Sequence, residues 1–113
     1  MITIGNHNGL MDIRDLQVFL SVARHLNYTR AAEEVNLSQP SVSVRMRQLE
    51  RDLGSKLFEQ LGKKVALTEA GQLLIPYATR VIALLEDVRH AVGELKGLER
   101  GSLRIGASTT PGM

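Results

Sequence analysis

Apolar residues recur at helical spacing through the first part of the chain. Ile13, Leu16, Phe19, Leu20, Ala23 and Leu26 form one stripe. Asp12 is placed to cap this first helix, and Asp15 sits at its positive end. Asn27 and Tyr28 interrupt the pattern. A short second helix is then predicted, capped by Thr29, carrying Ala31, Ala32 and Val35, and ending at Asn36. Ser38 caps a third helix, in which Pro40 falls in the first turn, where a missing N–H costs nothing. Val42, Met46, Leu49 and Leu53 line its buried side, and Gly54 supplies the stop.

Residues 29–53 therefore read as helix, three-residue turn, helix, with small alanines that let the pair cross closely. Two short apolar runs follow, around Leu57–Gln60 and Val65–Leu67, flanking a turn that holds Gly62, Lys63 and Lys64. They predict a β-hairpin, which in this position is a wing. Thr68 and Glu69 open the last and longest helix. There Leu74, Ala78, Val81, Leu85, Val88, Val92 and Leu95 alternate spacings of four and three, a coiled-coil period. From Thr68 to Leu98 such a helix reaches roughly 45 Å. A domain this small cannot cover that stripe, so a second copy of the chain is its simplest partner. Pro76 should bend the helix or mark where packing on the domain gives way to the seam. Gly97 and Gly101 are expected to end it, and Ser102–Ala107 alternates like a first strand.

The expected organisation is a flexible arm over 1–10 and a winged helix-turn-helix over 11–67, its helix-turn-helix at about 28–47. A dimerising linker helix over 68–98 follows, then a hinge and the start of a second domain over 99–113. The fold class is mainly α: three helices, a hairpin wing and a long helix.

The 113 residues carry a net charge of only +2, but the excess is local. Residues 38–64 hold six basic and three acidic side chains, whereas 1–27 and 65–113 each balance to zero. A nucleic-acid contact would lie in that stretch; an ordinary solvated surface is the alternative. With no cysteine in the chain, disulfides and thiolate zinc sites are excluded. No apolar run approaches a membrane span, and nothing resembles a secretory signal.

On the third helix, the side opposite the apolar stripe presents Pro40, Ser41, Val44, Arg47, Gln48 and Arg51, with Gln39, Ser43 and Arg45 at its flanks. It carries no acidic residue; Glu50 and Asp52 lie at the edges. Hydroxyls and amides on such a face reach base edges, and arginines reach guanine or phosphate. Gln39 suits bidentate pairing with adenine, and Pro40 and Val44 suit thymine methyls. Ser38 and the helix N-terminus suit a phosphate. Thr29 and Arg30 begin the helix that meets the backbone, Arg45 and Arg51 are expected to reach the backbone as well, and Gln60, Lys63 and Lys64 sit on the wing. His7, His25 and His90 lie on separate elements, and no carboxylate pair, nucleophile motif or phosphate loop points to an enzyme or a metal site. A dimerising protein–protein module of the same fold is the rival reading.

Phe19, Tyr28–Ala32, Leu37–Ser43, Leu49-Glu50, Leu53-Gly54, Leu57-Phe58 and Leu67–Gly71 strongly resemble the LysR-type transcriptional regulators, over roughly residues 11–108. The run Leu57–Lys64 and the tail from Leu103 look closest to the CbbR- and CysL-like branch, regulators of carbon fixation and sulfur metabolism. The resemblance implies a sequence-specific regulator of bacterial promoters that works in the cytoplasm and binds an inverted repeat as a dimer, or a tetramer at full length. Double-stranded DNA and a second copy are its implied partners, with RNA polymerase as a candidate. It implies no cofactor in this stretch and a small-molecule effector in a following domain. The family's DNA-contacting positions fall on Gln39, Pro40 and Ser43. Many members carry a polar residue at Val44 and arginine at Gln60, so the wing's minor-groove contact shifts toward Lys63 or Lys64.

Overall fold

The computed structural model describes the backbone of residues 11–104 and the side-chain surroundings of 11–98. The expected arm over 1–10 and the tail beyond Arg104 lie outside those residues. Along the chain run α1 (Ile13–His25), α2 (Tyr28–Val35), α3 (Gln39–Leu53), β1 (Phe58–Leu61), β2 (Lys64–Leu67) and α4 (Glu69–Arg104). Two compact units divide after Ile82.

Local chemistry sets most helix ends. Asp12 and Asp15 form a capping box: Asp15 N donates to Asp12 Oδ1 at 2.9 Å, and Asp12 N to Asp15 Oδ2 at 3.1 Å. The expected apolar stripe overruns α1 by one residue. Leu26 is its cap, in the left-handed region at φ 50° and exposed. The expected Thr29 cap is also displaced. Asn27 caps α2, its Oδ1 accepting from Arg30 N at 2.9 Å, so Thr29 lies inside the first turn. Asn is as good a cap as Thr, and the half-buried Tyr28 is held against Phe58, which draws it into the helix. Asn36 closes α2 with φ 58°, a conformation that asparagine tolerates. Ser38 caps α3 as expected, and Gly54 ends it at φ 73°.

α1, α2 and α3 enclose a core built from Leu16, Val18, Phe19, Val22, Ala31, Ala32, Val35, Val42, Met46 and Leu49. Leu57, Phe58 and Val65 close it from the hairpin side. Phe19 and Phe58 meet at 5.5 Å between centroids, and Tyr28 packs edge-on to Phe58 at 6.1 Å. Leu53 does not join this core: it is exposed, because the stripe has turned away from the domain by the last turn of α3.

The strands pair antiparallel from Phe58 opposite Leu67 to Leu61 opposite Lys64. This leaves a two-residue turn of Gly62 and Lys63, with Gly62 at φ 65°, where glycine meets no Cβ penalty. Lys64 belongs to β2 rather than to the turn.

At the base of the hairpin, Thr68 ties three segments together. Its N–H donates to Leu57 O at 2.9 Å, and its hydroxyl donates to Lys56 O at 2.6 Å. The same oxygen accepts from Gly71 N at 3.0 Å, capping α4. Gly71 is required by close approach: a Cβ there would stand 2.3 Å from Leu57 O.

α4 continues through Pro76, Gly97 and Gly101 to Arg104, past the expected stop. Its good helix formers offset the cost of each glycine, about 1 kcal/mol. Ser102–Arg104, expected to begin a strand, is helical. A strand would need a neighbouring sheet, whereas a helix satisfies its own backbone. The early part of α4 belongs to the domain core. Ala78 is fully buried, and Leu74, Ile75 and Ile82 pack against that core. Ala78 therefore packs inside the protomer rather than in a seam.

Candidate nucleic-acid interface

α3 is fixed on its inner side by Val42, Met46 and Leu49, all essentially inaccessible. Two polar ties set its orientation. The first joins α3 to α1. Arg45 Nη1 donates to Asp15 Oδ1 at 2.9 Å and lies 3.9 Å from Asp12 Oδ1. Burial pushes the Asp15 carboxyl above its ordinary range, against the lowering effect of the Asp12 backbone N–H and of Arg45. Arg45, expected among the backbone-contacting residues, is thus held inward. A carboxylate with no exposed surface needs a cation more than a solvated phosphate contact does.

The second tie joins α3 to the wing. Glu50 Oε2 accepts from Leu57 N at 2.9 Å and from Phe58 N at 3.3 Å. These N–H groups begin the hairpin, so one carboxylate replaces the partners they lack at the strand end. Arg14 braces α1 against α2 instead, donating to Val35 O at the end of α2.

The side of α3 that these ties leave outward is the expected one. Gln39, Pro40, Ser41, Val44, Arg47 and Arg51 are exposed, while Ser43 and Gln48 are half-buried. Ser38 accepts from Ser41 N at 3.2 Å and donates to Ser41 Oγ at 2.9 Å, which orders the first turn. A cleft of about 300 Å³ lies between α3 and the hairpin. It gathers Gln39, Ser43 and Arg47 from the helix with Glu59 and Gln60 from the strand, over Tyr28. Burial raises the Tyr28 phenol above its usual range; the Glu50 charge adds to this and Arg47 opposes it. A second hollow, of about 360 Å³, is lined by Pro40, Ser41, Val44, Arg45 and Gln48.

Lys63 and Lys64 are exposed at the hairpin end, and Thr29 and Arg30 at the start of α2. Thr29 and Arg30 border a groove shared with His25 and Asn27 rather than the α3 cleft. Three residues carry more weight than their sequence pattern suggests. Glu50 and Asp15 act as anchors, and Lys56 is an exposed cation lining the α3 cleft. The signal for Lys56 is its membership of the basic stretch. For Asp15 it is the capping-box spacing, which gives no hint of Arg45.

Beyond Leu74 and Ala78, the expected dimer residues are open: Val81, Val88, Val92 and Leu95 are exposed and Leu85 is half-buried. Tyr77, Leu84 and Leu98 are exposed as well. With Val81, Val88, Ala91 and Leu95 they give a second three-four ridge that overlaps the expected one. Among the described residues no cluster of three or more His, Asp or Glu is placed to hold a metal ion. No helix among them is long and apolar enough to cross a membrane.

The chain is 50% identical over 100 residues to a RuBisCO operon transcriptional regulator of Allochromatium vinosum, covering 88% of this chain and 33% of that protein. It thus spans about a third of the length of that relative. Vibrio fischeri DarR, solved in complex with DNA, superposes with a TM-score of 0.73 at 31% identity, covering 78% of this chain and 30% of that one. The CbnR_DBD–DNA complex gives 0.63 at 32% identity, covering 83% of this chain and all of that one. Residues 13–72 match the model for the bacterial regulatory helix-turn-helix protein, lysR family, and to that family of DNA-binding transcription regulators the chain belongs.

Proposed function

We propose that this chain reads double-stranded DNA as a homodimer, with α3 in the major groove and the hairpin along the flanking backbone. The observation that carries the reading is the outward face of α3. It offers amide, hydroxyl, methyl and guanidinium groups, no carboxylate, and a cationic hairpin beside it. Gln39, Pro40, Ser43, Val44, Arg47 and Gln48 face base edges in this reading. Thr29, Arg30, Arg51, Lys56, Lys63 and Lys64 take phosphates. The exposed ridges of α4 pair with those of a second copy, so residues beyond the core-packed turn set the half-site spacing.

The domain plan belongs to the same proposal: a winged domain to about residue 67, a linker helix after it, and an effector-binding domain in the longer regulator. RNA polymerase is a partner of that longer protein, and bacterial promoter DNA places it in the cytoplasm.

DNA selected from a random duplex pool supplies the test. Gln39→Ala should relax discrimination at one base pair by about 1–3 kcal/mol. Equal loss on every sequence contradicts base readout. Replacing Lys63 and Lys64 by alanine should weaken all sequences alike and flatten the salt dependence, by about 0.9 in log–log slope for each phosphate no longer neutralised. Val88→Glu should shift the chain to monomer in sedimentation equilibrium; an unchanged dimer would rule out the ridge.

A further inference from the structure

Val44 stands out on α3. It is 43% exposed, on a face that apart from Pro40 is made of polar side chains. Pro40, one helical turn earlier, is also exposed, so two hydrocarbon groups stand in line at i and i+4. Between them lies the hollow that Ser41, Arg45 and Gln48 complete.

Two of the polar groups around that hollow already have partners within the protein. The Arg45 guanidinium is turned to the buried Asp15 carboxylate at 2.9 Å. The Ser41 hydroxyl accepts from Ser38 Oγ at 2.9 Å. Gln48 is half-buried. Pro40 and Val44 supply the hydrocarbon that the hollow offers outward, beside the exposed Ser41 hydroxyl. In the major groove each base pair presents hydrogen-bonding atoms, and thymine alone adds a methyl group, at C5. Opposite Val44 the thymine methyl gains an apolar contact that no other base offers.

We infer that Pro40 and Val44 form a thymine-methyl site, a specificity element in which the C5 methyl enters the hollow and Val44 supplies its wall. The inference rests on the placement of α3 in the major groove and adds to it the identity of one base. It also assigns Arg45 a supporting part: although it lines the hollow, its guanidinium is bonded to Asp15 and so is not offered to guanine.

Deoxyuridine removes the methyl group and nothing else, which makes the test direct. The chain is first used to select a duplex from a random pool. Each thymine of that duplex is then replaced singly by deoxyuridine, and Kd is measured at one salt concentration. One thymine per half-site should show a loss of roughly four-fold, the worth of one buried methylene-sized group. With Val44→Ala, whose exposed position carries no core packing, the same replacement should cost under about two-fold. Cytosine at that position should bind less well than thymine, and 5-methylcytosine should recover about four-fold over cytosine.

A uracil penalty at no position overturns the methyl site, as does one that persists in full with Val44→Ala; sequence selection itself would then still support α3 as the reading helix. A chain that selects no sequence overturns both.

Discussion

Three glycines of α4 should respond to alanine with opposite signs. Helix propensity alone favours alanine over glycine by about 1 kcal/mol. At Gly71 the structure overrides it. A Cβ there would lie 2.3 Å from Leu57 O and 2.7 Å from Leu67 Cδ2. An ordinary carbon–oxygen approach is roughly 3.3 Å, so the chain must open by about 1 Å. Leu57 cannot easily yield, because its carbonyl accepts from Thr68 N, its N–H is held by Glu50, and its side chain is buried. Overpacking of this kind costs about 1–3 kcal/mol. The weakened Leu57–Thr68 hydrogen bond adds about 0.5–1.5 kcal/mol. After subtracting the propensity gain, Gly71→Ala should lose about 0.5–3.5 kcal/mol. At Gly93 and Gly97 an added Cβ would meet nothing within 4 Å, so alanine there should raise helicity. Urea unfolding followed by circular dichroism reads the first effect, and the ellipticity of the folded protein reads the second. A Gly71→Ala protein as stable as its parent would refute the close approach and, with it, the described junction between hairpin and helix.

Glu50→Ala removes the acceptor for two hairpin N–H groups and should cost about 1–3 kcal/mol in urea unfolding, with faster hydrogen exchange at Leu57 and Phe58. Arg45→Gln should destabilise by a similar amount, yet leave the salt slope of DNA binding unchanged, since its guanidinium is directed at Asp15; a flatter slope would return it to the phosphate contacts. Glu34 accepts from Ser21 and Arg24, which with His25 lower its pKa from 4.5 to about 2. Because the folded value lies below the unfolded one, this carboxylate stabilises the fold at pH above 4.5 and loses that effect as pH falls toward 2. Glu34→Gln should therefore show a shallower loss of stability across that window in acid titrations followed by circular dichroism; an unchanged profile would count against the cluster.

What is legible in the sequence follows the range of the interaction concerned. Asp12, Asn36, Ser38 and Gly54 act on their own helix ends, and each lies where its residue type predicts. The tight hairpin turn and the outward face of α3 are equally local. Thr29 resembles a cap, but Asn27 satisfies the same rule, and only the contact of Tyr28 with Phe58, on the distant hairpin, decides between them. Ala78 fits the heptad but is buried, since periodicity describes a stripe and not what covers it. Arg45 and Glu50 are visible in the sequence as charges without destinations. Their partners, Asp15 and the Leu57 backbone, lie across the fold.

On α3 the side chains that hold the helix and those that face outward are separate sets. Val42, Met46, Leu49, Arg45 and Glu50 do the holding, whereas Gln39, Pro40, Val44 and Arg47 do little of it. Substitutions in the second set should therefore alter target preference with small effects on folding. On the proposed reading of DNA by α3, such a division allows descendants of one scaffold to drift toward new target sequences by single changes, without passing through unstable intermediates.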